Sequence, residues 1–279
     1  LLEGEYILKF QDDGGRFSTG ETSVVIDLPD NVSALVTQTR REDLDNPKFQ
    51  GAKTNTNFDA SAAALTLTNA SGEYAFNTVL DLGGVFSLDL KRHFLSEGFY
   101  IGTLFDSRTA LIDTWTDFDG AEATAVNAKL LVATTQDNPS SGSPTFTAFQ
   151  TFANGTYKGR GFKFKTELTS GDPAQNIRIS QLGYTASLQR RVEQSNALTA
   201  NGSTNVTFTN TFFVGTSSLL GANSNLPSIG ITAQNLNAGE FFQISNISGT
   251  GFTIVFKDSG GNAINGKQFT YQAVGFGKG

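Results

Sequence analysis

The side chains best suited to chemistry are concentrated in residues 105–120, FDSRTALIDTWTDFDG. This stretch holds the only tryptophan of the chain, Trp115. Around it lie four carboxylates, Asp106, Asp113, Asp117 and Asp119. Such a group suits three arrangements: a metal loop, an acid and base pair, or an acidic surface loop anchored by an aromatic side chain. Each arrangement demands further residues at defined spacings.

The spacing does not support a calcium loop of the EF-hand type. Such a loop needs oxygen ligands at alternating positions, a glycine at the sixth position and a glutamate at the twelfth. If Gly120 takes the sixth position, Trp115 falls at the first and Val126 at the twelfth, and neither side chain binds calcium. An irregular ion site at Asp117 and Asp119 stays open, but the sequence favours a solvated acidic loop on an aromatic anchor.

Catalytic chemistry also receives little support. Glycoside hydrolysis needs two carboxyl groups that face each other across a cleft, and nearby pairs are expected by chance among 26 acidic residues. His93, the only histidine, lies at a predicted strand end without a Gly-x-Ser-x-Gly elbow, so we expect a surface or edge histidine. The sequence predicts no enzyme, no metal and no cofactor, with a glycan-degrading activity as the least favoured alternative.

The composition excludes several other classes. The chain has no cysteine, so disulfides, thiolate metal sites and thiol nucleophiles are absent. A formal net charge of −6 disfavours nucleic acid and anionic membranes as partners. No apolar run reaches the roughly 18 residues of a membrane span. The chain lacks methionine and begins directly with a strand-like pattern, LLEGEYILKF, which predicts the C-terminal part of a longer polypeptide.

The residue types predict that the chain is all-β. Thirty glycines and 24 phenylalanines stand among short apolar runs rich in Thr, Ser and Asn, which suits strands joined by turns. In RGFKFKTEL, Phe162 and Phe164 point to one face and Lys163 and Lys165 to the other, as in a half-buried strand. The nearest helix candidate, SLQRRVEQSNALTA at 187–200, is polar enough to be a linker.

Turn signals divide the chain into three predicted units. Residues 1–29 contain a hairpin around Asp13-Gly14-Gly15, too small to be stable alone, so we expect the last strands of a domain. Residues 30–194 contain short strands, including TFTAFQTF at 145–152, separated by turns such as Ser170-Gly171-Asp172-Pro173, which predicts an antiparallel β-sandwich of jelly-roll type. A polar linker, QSNALTANGST, leads into residues 195–279, where five strands predict a small sandwich that oligomerisation would stabilise.

Three passages carry a family resemblance: FDSRTALIDTWTDFDG, then KLLVATTQDNPSSGSPTFTAFQTFANGTYKGRGFKFKTELTSGDPAQNI, then ISQLGYTASL. Their order and spacing resemble the C-terminal region of the central tail-fibre, or host-specificity, proteins of lambda-like siphophages, over most of residues 75–190. The final stretch, from ITAQNLNAGEFF onwards, is similar to the small β domain that closes many such fibres and has an H-type-lectin-like fold. Residues 1–29 resemble the end of a fibronectin type III module.

The resemblance implies a homotrimeric fibre tip at the distal end of the virion tail, attached to other tail-tip and baseplate proteins. It implies a carbohydrate-binding-like middle sandwich and a lectin-like terminal sandwich that serve adsorption to a bacterial receptor, either an outer-membrane protein or a polysaccharide. The alternative is a structural role, in which these units trimerise and cap the fibre while recognition takes place elsewhere.

If the chain binds a receptor or a glycan, we expect an aromatic platform with amides and carboxylates on loops of the rigid sandwich. The candidates of this chemistry are Tyr100, Arg108, Trp115 and Asp117 in the middle unit and Asn223, Asn225, Asn262 and Asn265 in the terminal one. The same residue types also occur in turns and packing contacts, so their placement in the fold decides between these roles.

Overall fold

A computed structural model of the chain describes residues 4–8, 22–26, 35–101, 111 and 123–278. Within these residues the protein is all-β, as the composition predicts, and contains no helix that could span a membrane. The helix candidate at 187–200 was wrong, because its first part continues a long strand and its last part forms a short one. Residues 190–194 are extended because they pair with residues 272–276 in a sheet ladder.

The described residues form eighteen strands in three sheets. In chain order they are β1 (Gly4–Leu8), β2 (Thr22–Ile26), β3 (Leu35–Arg41), β4 (Ala52–Thr54), β5 (Thr56–Asp59), β6 (Ala64–Leu67), β7 (Ser71–Ala75), β8 (Leu80–Tyr100), β9 (Val126–Thr135), β10 (Gln150–Thr151), β11 (Gly155–Ser170), β12 (Gln175–Gln194), β13 (Leu198–Asn201), β14 (Ser203–Thr207), β15 (Ser228–Ala233), β16 (Phe241–Ser245), β17 (Gly251–Lys257) and β18 (Asn265–Phe276). β1 and β2 pair antiparallel, as the first hairpin predicts, while its turn signal at Asp13-Gly14-Gly15 lies outside the described residues.

Three long strands, β8, β11 and β12, organise the main sheet by exchanging partners along their length. One edge of β11 pairs first with β8 and then with β7, while its other edge pairs with β9. One edge of β12 pairs with β8, and the other pairs first with β6 and then with β3. The register shifts at Gly159/Gly161 and Ile179/Gln181 bend these ladders, as bulges do. The sheet therefore curls around a shared interior.

The segment TFTAFQTF was predicted as a strand, but only Gln150–Thr151 pairs as one. The preceding aromatic side chains lie over lysines of β11 instead. Lys163 Nζ is 4.1 Å from the ring centre of Phe146, and Lys165 Nζ is 4.7 Å from that of Phe149. Two of the aromatic residues that make this segment resemble a strand in composition therefore form cation–π contacts with β11.

Two hydrophobic cores form, one in the middle unit and one in the terminal unit. The predicted polar linker between them was wrong, because residues 194–204 are largely strand and β12 runs on to pair with β18. Phe213 and Leu219 of the terminal unit also pack into the first core. The two units are thus joined by a continuous ladder and by shared apolar side chains.

Glu193 fixes the junction where β12 passes from the first core to the second. Its Oε1 accepts hydrogen bonds from the Thr209 N–H at 2.8 Å and from the Tyr271 hydroxyl at 2.9 Å. Its Oε2 accepts from Arg191 Nη1 at 3.0 Å and from the Asn210 N–H at 3.4 Å. Burial alone would raise the pKa of Glu193, but these donors hold the pKa below its ordinary value.

Glu193→Gln is therefore expected to lower the free energy of unfolding by about 1–3 kcal/mol at neutral pH. Because the folded pKa is lower than the unfolded one, the contribution is present above the ordinary value of 4.5 and is lost as the pH falls through the folded pKa. Urea unfolding of wild type and variant at neutral and acid pH measures this difference. A gap between the two proteins that stays constant with pH would contradict the assignment.

Candidate functional site

The segment that carries Trp115 lies in the chain between β8 and β9 of the middle unit. β8 ends at Tyr100, and the described chain resumes at Ala123 before β9. The two ends are in close contact, since a Cβ added at Gly98 would lie 2.9 Å from the Ala123 oxygen and 2.6 Å from Val126 Cγ2. The predicted site residues Arg108, Trp115 and Asp117 lie outside the described residues, within the connection between these two ends.

Gln175 ties both ends of this segment to the neighbouring turn. Its Oε1 accepts a hydrogen bond from the Ala125 N–H at 2.8 Å. Its Nε2 donates to the Tyr100 hydroxyl and to Asp172 Oδ2, each at 3.1 Å. The side chain is buried, so these bonds form away from bulk water and hold the site firmly.

The turn at residues 170–175 is itself fixed by the side chains that its sequence supplies. Asp172 Oδ1 accepts from the Ala174 N–H at 2.8 Å, which closes an Asx turn before β12. Ser170 Oγ shares its one hydrogen between the Asp172 carbonyl at 2.7 Å and the Gln175 carbonyl at 2.9 Å. The turn signal recognised in the sequence thus builds one wall of the site.

A cleft of about 390 Å³ opens between this turn, the end of β6 and the end of β8. Its volume lies within the roughly 300–1,000 Å³ of small-molecule sites. The lining mixes apolar and polar side chains: Leu67, Thr68, Asn69, Ala70, Ile101, Ser170, Gly171, Asp172, Pro173, Gln175 and Asn176. Ile101 is 52% exposed, which is unusual for its type and leaves an apolar contact surface at the rim.

Several polar groups in this cleft are available to a ligand. The Thr68 hydroxyl and Asn69 Nδ2 have no hydrogen-bond partner among the described residues. The Tyr100 hydroxyl lies beside the cleft, bonded to the lining residue Gln175, and keeps its own hydrogen. Asn176, in contrast, is committed to the Leu67 backbone through both its amide atoms. The cleft can therefore hold a hydroxylated ligand between hydrogen-bonding groups and apolar walls.

Asp172 is the single carboxylate in the described lining of the cleft. Hydrolysis of a glycoside requires a second carboxyl group, which the described lining of the cleft does not supply. Across the part of the chain that the structure describes, no group of three or more His, Cys, Asp or Glu side chains is placed to hold a metal ion.

The four candidate asparagines of the terminal unit do not line this cleft. Asn223 is an exposed turn residue with φ of 56°, and the side-chain nitrogen of Asn225 is buried without a hydrogen-bond partner. Asn262 closes a turn, since its N–H donates to Asp258 Oδ1 at 2.8 Å. Asn265 starts β18, opposite Asn201 in the ladder. None of the five candidates that the structure describes is a lining residue, and Tyr100 lies beside the cleft because its hydroxyl accepts a hydrogen bond from Gln175 Nε2.

His93 lies inside β8, and not at a strand end as predicted. Its Nε2 is 2.8 Å from Thr185 Oγ1, on the outer side of the sheet where Thr185 also bonds Thr39 at 2.7 Å. The cleft lining given above does not include it.

Sequence reasoning missed Thr68, Asn69 and Gln175 as site residues. Their types carry no distinctive signal, and only the pairing of β6 and β8 with β12 brings them to one end of the sheet.

Comparison of the chain with protein-family models, with curated proteins and with solved structures gives no match. The fold class is all-β, and the cleft is the described feature best suited to binding.

Proposed function

We propose that the chain is a non-enzymatic receptor-binding unit at the tip of a phage tail fibre, and that it recognises host surface carbohydrate at the cleft beside Tyr100. The observation that carries the carbohydrate part is the cleft lining, in which uncommitted hydroxyl and amide groups alternate with apolar contacts. The fibre part comes from the resemblance of the sequence to siphophage tail-fibre proteins.

The chemistry of a sugar explains why this lining suits it. A pyranose presents hydroxyls at its rim and C–H groups on its faces, so it needs donors, acceptors and an apolar surface together. Thr68 and Asn69 supply the first two, while Ile101 and Pro173 supply the third. The Gln175 network fixes Tyr100 and Asp172, the chain neighbours of Ile101 and Pro173, before binding, which reduces the entropy lost on association.

The segment between Ile101 and Ala123 extends this site in the proposal. Arg108, Trp115 and Asp117 belong to that segment, which follows the lining residue Ile101 in the chain. An indole supplies a large flat surface for stacking on a sugar face, and the charged groups supply further hydrogen bonds. Connections between the strands of a rigid sheet often carry binding residues.

In the fibre, the chain is a homotrimer at the distal end of the virion tail, held by other tail-tip and baseplate proteins, with fibronectin-like, carbohydrate-binding-like and lectin-like units in order along it. One surface supports association between copies. Val192, which is 50% exposed, lies opposite Val274, and Val274 lies opposite Ser228. Residues opposite one another share a sheet face, so Val192 and Val274 form a small apolar pair beside Ser228 that a second copy would cover.

Val192→Lys is expected to shift the mass of the purified chain from trimer towards monomer, because burial of an unpaired ammonium between copies is unfavourable. Light scattering measures the mass directly. Gln181→Lys, a substitution at an exposed position of the same strand, serves as the control and should leave the trimer intact. A wild-type chain that is monomeric at all concentrations would contradict the trimer.

Cell binding tests the proposed receptor chemistry. Labelled chain is added to a panel of bacterial strains before and after treatment of the cells with protease or with periodate, which oxidises vicinal diols of sugars. Binding that survives protease and is lost after periodate is the expected result. Loss after protease alone would assign an outer-membrane protein instead, and absence of binding to every strain would favour the structural, fibre-capping alternative.

A further inference from the structure

A second pocket, of about 380 Å³, lies where the terminal unit crosses the first core. Its walls come from β3, the start of β8, β12 and the segment before Leu220. The lining residues are Gln38, Arg40, Thr78, Val79, Leu80, Tyr184, Ser217, Ser218 and Leu219. None of them belongs to the cleft beside Tyr100. We call this cavity the seam pocket.

The wall that the terminal unit contributes is firmly attached. Ser218 Oγ accepts from the Asp81 N–H at 2.9 Å and donates to the Asp81 carbonyl at 2.6 Å. The Leu220 N–H donates to Gln38 Oε1 at 2.8 Å. Leu219, only 1% exposed, is part of the first core. The seam pocket is therefore a formed cavity with two units as walls.

Tyr184 supplies a buried polar group to this pocket. The residue is 6% exposed, and its ring stacks on Phe164 with the ring centres 4.3 Å apart. Its hydroxyl has no hydrogen-bond partner among the described residues and is not sealed from solvent. The hydroxyl is thus open to the pocket, so a ligand atom or a water molecule can bind it there.

The charges around the seam pocket disfavour an anionic ligand. Arg40 Nε donates to Glu42 Oε1 at 3.2 Å, and Arg40 Nη2 lies 2.7 Å from Asp45 Oδ2 in an ion pair without hydrogen-bond alignment. The guanidinium is thus already matched by two carboxylates. An added anion would meet a local excess of negative charge.

The remaining polar groups suit a neutral ligand with several hydroxyls. Gln38 uses only its Oε1, so its Nε2 hydrogens stay available. The hydroxyls of Thr78 and Ser217 have no partner among the described residues. Val79 and Leu80 provide apolar surface between them. Donors and acceptors spaced around an apolar floor are again the arrangement that a sugar ring requires.

We infer that the seam pocket is a second binding site, separate from the cleft beside Tyr100, for a neutral saccharide unit that hydrogen-bonds the Tyr184 hydroxyl and the Gln38 amide. The inference goes beyond the proposed function, because it holds whether or not the chain belongs to a tail fibre. It makes the junction of the two units a place of recognition.

Tyrosine-selective NMR tests the inference on the whole chain. The chain contains six tyrosines, and the signal of Tyr184 is assigned by its loss in Tyr184→Phe. Glucose, galactose, mannose, N-acetylglucosamine and glucuronate are titrated separately. At least one neutral sugar is expected to shift the Tyr184 signal saturably, with glucuronate weaker than glucose. A Tyr184 signal unmoved by every neutral sugar, or moved most by glucuronate, would overturn the inference.

Two variants separate binding in the pocket from an indirect effect. Tyr184→Phe keeps the ring stack and removes only the hydroxyl, so affinity, read by calorimetry, should fall about five- to tenfold. Ser217→Trp fills the pocket from its exposed rim and should abolish binding. Tyr157→Phe, whose hydroxyl bonds the Ala153 carbonyl elsewhere, should leave affinity unchanged. Wild-type affinity in both pocket variants would overturn the site, whatever the cell-binding experiment gives.

Discussion

Glu42→Ala is expected to lower the free energy of unfolding of the middle sandwich by about 3–5 kcal/mol, because it breaks a buried ionic network. Glu42 is fully buried. It accepts a hydrogen bond from the Tyr74 hydroxyl and a second from Arg40 Nε at 3.2 Å. The Tyr74 oxygen in turn accepts from the Gly51 N–H at 2.8 Å, so one carboxylate orders three separate segments.

Removal of the Glu42 carboxylate would leave the buried Tyr74 hydroxyl without its acceptor and Arg40 with one partner fewer. The loss at Tyr74 is the larger of the two, because that hydroxyl is buried, whereas the Arg40 side chain is 31% exposed and keeps its ion pair with Asp45. Burial of Tyr74 and its bond to Glu42 also raise the pKa of that phenol far above its ordinary value. The tyrosine therefore stays a donor throughout the accessible pH range.

Urea unfolding of the purified variants measures this prediction. Glu97→Ala is the matched control, because the Glu97 side chain is 69% exposed and its Oε2 lies 3.6 Å from Arg178 Nε, so it should change stability by less than about 1 kcal/mol. The loss of unfolding free energy in Tyr74→Phe should lie between the losses in Glu42→Ala and Glu97→Ala. Equal stability of Glu42→Ala and Glu97→Ala would show that the buried network contributes nothing.

Thr68→Trp is expected to weaken binding to host cells by about 100-fold, which corresponds to ~3 kcal/mol. Thr68 lines the cleft beside Tyr100, follows directly on β6 and is exposed. An indole at this position would occupy the space between Ile101 and the turn at 170–175. Because the backbone there is already at the surface, the fold should tolerate the larger side chain.

The measurement is a cell-binding isotherm for wild type, Thr68→Trp and the control Gln181→Trp. Gln181 is exposed on β12 but lies outside the cleft lining. Equal thermal unfolding of the three proteins establishes that the cleft variant is folded. Undiminished binding by Thr68→Trp would show that the cleft is not part of the recognition surface. The candidates left in the terminal unit would then be Asn223, Asn225, Asn262 and Asn265.

The fold class followed from the sequence because its signal is local. In β11 the alternation of Phe162, Lys163, Phe164 and Lys165 is carried directly into the structure, where both phenylalanines are buried. Local patterns failed where partners are distant. Residues 190–194 look like a linker, yet they pair with β18, some 80 residues later in the chain, and no short window contains that information.

The candidate site was predicted only in part for the same reason. Tyr100 stands next to a segment with an evident chemical signature, so the sequence pointed to it. Thr68 and Gln175 reach the same place through long-range pairing of β6 and β8 with β12. The seam pocket could not be predicted from any local pattern, because Tyr184 and Ser217 come together only when the terminal unit packs on the first core.

Binding of the purified chain to polysaccharide isolated from a strain that it recognises tests the central claim most directly. Calorimetry should give saturable binding for wild type, its loss in Thr68→Trp and its retention in Gln181→Trp, with no reducing ends released during the titration. Binding that is identical in wild type and Thr68→Trp, or polysaccharide that is cleaved on contact with the chain, would contradict the account of a non-enzymatic carbohydrate cleft beside Tyr100.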